Sequence, residues 1–270
     1  QAATDCDSLK TYLEKFDLPL LGMQTAEGLR EAAKSFLLDL KKENVMYVEV
    51  RFAPQLSVHE GFGCSQVIEA VLEGLREAEA ICQISWRVIC CAMRHHTMEL
   101  NLEVFRTAAE YLDRGVCAVD LAGDEASYPA SQLTDLVAEA RTLGIPFTIH
   151  AGEAGDAEDV KTAIRMGASR IGHGVRIAGN EEVIQLVKNS GIFLEMCPTS
   201  NRQTRAVEDM FSYPLKNFLE QGLKVTLNTD DPAIERTTLS HEFQYMDSLL
   251  NLTEEQKKQL LLNSVEAAFT

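Results

Sequence analysis

The run Pro146–Glu153, PFTIHAGE, decides how the rest of the chain is read. An apolar strand pattern, Pro146–His150, ends on a histidine. Gly152 then permits a sharp turn, and Glu153 stands three residues beyond the histidine, where it can be turned back over the strand end. Imidazole is the commonest metal ligand, and a nearby carboxyl is a natural acid or base. Taken alone, the same letters also suit a hydrogen-bonded structural histidine and a solvated loop glutamate.

Outward from this run the pattern repeats. Apolar, β-branched runs recur at Val45–Phe52, Ile84–Met93, Val116–Leu121, Arg170–His173, Ile192–Cys197 and Val225–Asn228. Several are apolar at nearly every residue, which predicts strands buried on both faces. Helical patterns lie between them. Ala26–Lys42 places Leu29, Ala33, Phe36, Leu37 and Leu40 on one stripe, and Ser65–Ala80 does the same with Ile68, Val71, Leu72 and Leu75. Asn180 is an N-cap for a helix through Lys188 that Gly191 ends. Thr253 and Gln256 have capping-box spacing for the last helix.

Strand centres fall roughly 30 residues apart, the spacing of a (β/α)8 TIM barrel. A doubly wound open sheet gives the same alternation, but no Gly-rich phosphate turn follows the first strand. Polar and ionisable residues also crowd several strand ends, where barrel enzymes assemble their sites. They are Arg94-His95-His96, Asp124-Glu125, His150 with Glu153, His173, Thr199-Ser200-Asn201 and Asp230-Asp231. No linker or break in composition interrupts the chain, so residues 1–270 read as one α/β barrel domain.

The 270 residues carry a formal net charge of −16, from 41 acidic residues against 25 Lys plus Arg. That sign repels phosphate backbones and anionic bilayers, so neither a nucleic-acid polymer nor a membrane is the expected partner. No apolar run approaches the ~20 residues of a membrane span, and no signal-peptide pattern opens the chain. The cysteines number seven, and Cys90 and Cys91 are neighbours that a strand would point to opposite faces. A reduced, cytoplasmic chain is expected.

Two more motifs join the first. In Ile171-Gly172-His173-Gly174 a histidine between two glycines has an unobstructed ring, and in Asn228-Thr229-Asp230-Asp231-Pro232 two acids end the last strand. Histidine and aspartate at strand ends, with a glutamate and a second histidine nearby, suit metal-assisted hydrolysis, in which a metal brings the pKa of its water to about 7.

In this combination the chain resembles the adenosine deaminases among the metal-dependent amidohydrolase barrels. The matching segments are YVEVRFAP (Tyr47–Pro54), DLAGDE (Asp120–Glu125), HAGE (His150–Glu153), IGHG (Ile171–Gly174), EMCPTSN (Glu195–Asn201) and NTDDP (Asn228–Pro232), in the family's order. The resemblance implies that His150 and Asp230 are zinc ligands and that Glu153 protonates purine N1. It implies that His173 orients and activates the water held by zinc, that Asp231 contacts N7 and that the Gly123 backbone contacts N3. The implied reaction is attack at C6 of adenosine or deoxyadenosine, giving an inosine product and ammonia, with a small purine nucleoside as partner. Adenine or a modified aminopurine is the alternative substrate, and an inert purine-binding protein the alternative of another class.

The family's His-x-His pair on the first strand has no counterpart in this sequence. One Zn2+ per chain is therefore expected to draw two further histidines from upstream of Gln1, on a first strand that this chain lacks. Glu266–Thr270 reads as the start of a continuing helix, so truncation at both ends is expected. His95 and His96, being adjacent, are expected in a loop, His59 in a loop, and His241 on a helix. Cys197 is expected to be a packed residue, since no CxxC of the cytidine-type zinc deaminases is present.

Overall fold

All seven expected strands are present: β1 (Tyr47–Phe52), β2 (Ser85–Met93), β3 (Val116–Ala122), β4 (Phe147–Ala151), β5 (Arg170–His173), β6 (Phe193–Met196) and β7 (Lys224–Leu227). The structure, a computed structural model, describes residue 6 and residues 8–269. These fall into two units, one of residues 16–122, 135–146 and 269, the other of residues 6, 8–15, 123–134 and 147–268.

In the first unit β1, β2 and β3 pair in parallel, with Tyr47 opposite Ser85 and Cys91 opposite Asp120. β1 alternates polar and apolar residues and is half-buried throughout, whereas β2 is fully buried from Val88 onward. The helix Ala26–Leu40 buries Leu29, Ala33, Leu37 and Leu40, while Phe36 lies at the flank of the stripe, half-buried. It packs on the helix Cys64–Cys82, and Arg30 and Lys34 pair with Glu77 across that contact.

In the second unit β4 to β7 pair in parallel, each with the next in the chain. The register sets Ile149, Ile171, Leu194 and Val225 side by side, and all four are fully buried. Successive residues of a strand face opposite ways. The next row, His150, Gly172, Glu195 and Thr226, therefore faces away from this hydrocarbon layer. β5 and β6 are buried at every residue, their ionisable Arg170, His173 and Glu195 included.

The caps fall where the sequence places them. Asn180 accepts from the Val183 N–H at the start of Glu181–Ser190, and Gly191 closes that helix in the left-handed region. Thr253 and Gln256 form the reciprocal capping box of Glu254–Ala267. Glu266 stands in the last turn of that helix rather than at the start of one: Ala268 is extended, and the Ala267 carbonyl accepts a 2.8 Å bond from buried Arg170. Thr270 lies outside the described residues. No described helix is long and apolar enough to cross a membrane.

Candidate active site

His150, His173 and Asp230 meet at the C-terminal ends of the strands of the second unit, with one donor atom from each within 4.8 Å of the others. Gly172 gives the His150 ring its place: a Cβ there would sit 3.1 Å from His150 Cγ. His173 arrives by a distortion. Two residues past Ile171, a regular strand would aim it into the hydrocarbon layer. Its φ of +64° breaks the alternation, and its ring centroid lies 5.1 Å from that of His150. Asp230 is also left-handed, at φ +60°. Such conformations cost roughly 1–3 kcal/mol each outside glycine and gather at functional sites.

Glu153 is brought back over this cluster by the turn at Gly152, whose φ is +71° and whose missing Cβ would approach Val160 to 2.7 Å. The turn is pinned by Glu125. Its buried carboxylate accepts backbone N–H bonds from Gly152, Glu153, Ala154 and Gly155, at 2.6 to 2.9 Å. The Glu153 carbonyl accepts from Arg176 Nε. Thr204 donates its hydroxyl to Glu153 Oε1 at 3.0 Å, and Oε2 lies 3.5 Å from His173 Nε2. Burial pushes the Glu153 carboxyl above the usual carboxylate range, with Asp230 adding to the effect and His173 opposing it.

A hydrogen-bond chain orients His173. Burial keeps the Tyr213 phenol protonated, and it donates to Asn201 Oδ1 at 2.8 Å. That fixes the amide so that Asn201 Nδ2 donates to His173 Nδ1 at 2.9 Å. The ring proton then belongs on Nε2, which faces Glu153 and, at 3.8 Å, Asp230 Oδ2. Asn201 rides on the short helix Pro198–Gln203, held by the Thr199 N–H donating to fully buried Glu242.

Asp231 opens the short helix Pro232–Glu235 without capping it through its side chain. It lies with Asp230 and Glu235 in a second acidic group, and the Tyr12 hydroxyl reaches both Asp231 and Glu235. Burial first, then the Asp230 charge, pushes the Asp231 carboxyl up. Gly123 has φ +105° and precedes Glu125 by two residues. Thus the expected residues His150, Glu153, His173 and Asp230 converge, Asp231 adjoins them, and Gly123 is tied to them through the Glu125 segment. In the sequence, Glu125 and Asn201 had no role beyond a place in polar clusters, and Tyr12, Thr204, Tyr213 and Glu235 carried no signal at all.

An imidazole and a carboxylate, His150 and Asp230, are a nitrogen–oxygen donor pair that fits zinc, with the His173 N–H beside them, and the strained backbone at His173 and Asp230 is what aims the three together. The remaining histidines stand elsewhere. His95 and His96 follow β2 in a turn, edge to face at 4.5 Å, His59 lies in a loop, and His241 lies on the helix Leu239–Leu250. Cys197 is buried and packed, its thiol directed at the Glu195 carbonyl.

Parallel strands alternating with helices, and a His–His–Asp cluster with a buried glutamate past the strand ends, define the barrel class of the metal-dependent amidohydrolases. Residues 1–270 match the adenosine deaminase family, and the chain belongs to it. It is 42% identical over 267 residues to an adenosine deaminase of Clostridium botulinum, covering 98% of this chain and 81% of that one. Among solved structures, an adenine deaminase from Arthrobacter aurescens superposes with a TM-score of 0.90 at 25% identity, over 99% of this chain and 82% of that one. An amidohydrolase from Burkholderia ambifaria with bound Zn superposes with a TM-score of 0.85 at 24% identity, over 92% of this chain and 70% of that one.

Proposed function

We propose that this chain hydrolyses adenosine and deoxyadenosine at C6, forming a C6–O bond, breaking the C6–N6 bond and releasing ammonia. The observation that carries the reading is the convergence of His150, His173 and Asp230 within 4.8 Å beside a buried Glu153 whose carboxyl burial pushes above the usual carboxylate range. His150 and Asp230 would hold zinc, which when bound lowers the pKa of a water to about 7 and so supplies hydroxide at neutral pH. The Zn-bound amidohydrolase of the same fold is in keeping with that choice of metal.

The chain's own groups divide the proton work. Thr204 occupies Glu153 Oε1, so Oε2 holds the proton that passes to purine N1. Protonated N1 draws electron density from C6 as the ring loses aromaticity. His173, with its proton on Nε2, donates to the attacking oxygen and orients it, and Asp230 is the acceptor on the same side for the water's proton. Asp231 and the Gly123 backbone hold the purine at N7 and N3. This reading takes residues 1–270 as one hydrolase barrel domain, a view supported by a family match over the same span. A cytoplasmic setting belongs to it, on the strength of seven cysteines of which six are buried.

The test is conversion of adenosine to inosine and ammonia by zinc-loaded protein, with Glu153→Gln as control. Absence of turnover with zinc restored would defeat the reading. The fold shared with an adenine deaminase keeps free adenine as a second substrate. Comparing adenosine, deoxyadenosine and adenine decides between them, and a preference for adenine would replace the nucleoside reading.

A further inference from the structure

The turn that presents Glu153 and the loop that begins at Gly123 are tied together by two carboxylates that cross in opposite directions. Both segments belong to the second unit. From the loop, buried Glu125 reaches the turn, where its Oε1 accepts from the Gly152 N–H and its Oε2 from the next three N–H groups, that of Glu153 included. From the helix Ala157–Met166, which follows the turn, Asp159 reaches back and accepts the Ala130 N–H at 3.3 Å. Every donor is a backbone N–H, so the direction of each bond is fixed. The loop between these anchors is folded on itself: Asp124 accepts from the Ser127 N–H through its side chain and from the Tyr128 N–H through its carbonyl. The two carboxylates converge at Gly155, where a Cβ would stand 2.7 Å from Glu125 Oε1 and 2.5 Å from Asp159 Oδ2. One side chain thus spans from the Glu153 N–H to a point two residues past Gly123. In a purine, N1 and N3 flank C2 on one edge of the six-membered ring, so the groups that meet them must be held at one spacing.

We propose that Glu125 is a positioning residue that sets this spacing, so that proton delivery at N1 and recognition at N3 are gained or lost together. The inference rests on the reading that Glu153 meets N1 and the Gly123 backbone meets N3. Glu125 itself touches no ligand, since its carboxylate is spent on the turn.

The experiment makes two measurements on zinc-loaded protein. Turnover of adenosine reads the N1 contact. The ratio of affinities for inosine and 3-deazainosine, which lacks N3, reads the N3 contact by calorimetry. The proteins are the unsubstituted chain, Glu125→Gln, Gly155→Ala and Glu153→Gln. Gly155 has no positive φ, so alanine there keeps the backbone and displaces only the ends of two side chains; it decides the matter where Glu125→Gln does not fold. The unsubstituted protein should prefer inosine about 5- to 10-fold, the worth of roughly one hydrogen bond. Glu125→Gln and Gly155→Ala should each lower kcat about 10- to 100-fold, the effect of misplacing a reacting group by an ångström or less, and should bring the preference within about twofold. Glu153→Gln should lose kcat and keep the preference. A folded Glu125→Gln or Gly155→Ala protein that keeps the preference overturns the inference and leaves the N1 and N3 readings intact. A merely structural role gives that result, because it lowers the active fraction without changing the ratio. Loss of the preference in Glu153→Gln also overturns it, since the coupling would then run through the N1 contact. Equal binding of the two ligands by the unsubstituted protein overturns the inference and the N3 reading together.

Discussion

The two corners of the site are built in opposite ways. At the ends of β4 and β5, histidine and glutamate stand three residues apart, and the turn joining them is secured by the backbone. One carboxylate, Glu125, receives four N–H groups and leaves none of them unmet. Past β7, Asp230, Asp231 and Glu235 crowd together, and the phenol that joins two of them comes from 219 residues away in sequence. In the first corner an acid has more donors than it needs. In the second, acids share protons that are too few. The first is a stabilising frame for function, and the second holds an unfavourable charge arrangement that the fold must support from elsewhere.

The largest effect should come from the acid that the frame presents. Glu153→Gln keeps the shape and the Thr204 contact but removes the proton for N1, and should lower kcat about 10³-fold, within the span of general-acid contributions. Ammonia release on zinc-loaded protein measures it, and a loss below tenfold would remove Glu153 from the acid role. Next, the same change of glutamate to glutamine should have opposite signs in the two corners. Glu125→Gln replaces an acceptor oxygen by an NH2 group facing backbone donors. It should cost about 3 kcal/mol of stability, read by urea unfolding, since several buried N–H groups lose their partner. An unchanged midpoint would show that the frame is not held this way.

The ease of reading the two corners from sequence follows the same divide. The seven strands and most of the helix caps were legible because strand burial and capping are local patterns, repeated along the chain. HAGE, IGHG and NTDDP were legible because each compresses its residues into one turn. Tyr12 and Glu235 were not, because their meaning lies in a contact between remote segments, and Glu235 looks like any acid after a proline turn. Thr204 and Tyr213 were hidden likewise: a threonine and a tyrosine gain a role only when folding aims their hydroxyls. The left-handed turn at His173 was hinted at by its flanking glycines, but not that it overrides strand alternation.

Glu235→Gln supplies the other sign. The folded protein keeps a proton on Glu235 up to about pH 10, whereas the unfolded chain releases it in the ordinary carboxylate range. The stability tied to that proton is therefore whole at low pH, where both states are protonated, and is lost as pH rises toward 10. Glutamine does not titrate. In metal-free protein the variant should be more stable by about 2 kcal/mol at pH 7, allowing for relaxation of the site. The gap should widen between pH 5 and pH 8, as chemical denaturation would record, by at most ~1.4 kcal/mol per pH unit. A gap that does not grow with pH would mean that Glu235 is ionised and that the second corner is not short of protons.

The smallest expected effect tests how closely the first corner is fitted. Gly172 has no positive φ to excuse its glycine, so alanine can take the same backbone. The obstacle is His150, since the new methyl would lie 3.1 Å from Cγ, 3.2 Å from Cα and 3.3 Å from Cδ2. The ring, and to a lesser degree the backbone at His150, must therefore give by a few tenths of an ångström within the strand pairing that sets His150 opposite Gly172. Stability should change little, but the geometry shared by His150, His173 and Asp230 should not survive intact. Zinc affinity, measured by competition with a chelator, should fall about tenfold, at the low end of what disturbing the support of a metal ligand costs. The second corner, whose residues come from other segments, should keep its preference for a purine with N7. If zinc binding holds and the N7 preference falls instead, the two corners are not separable in the way their construction implies.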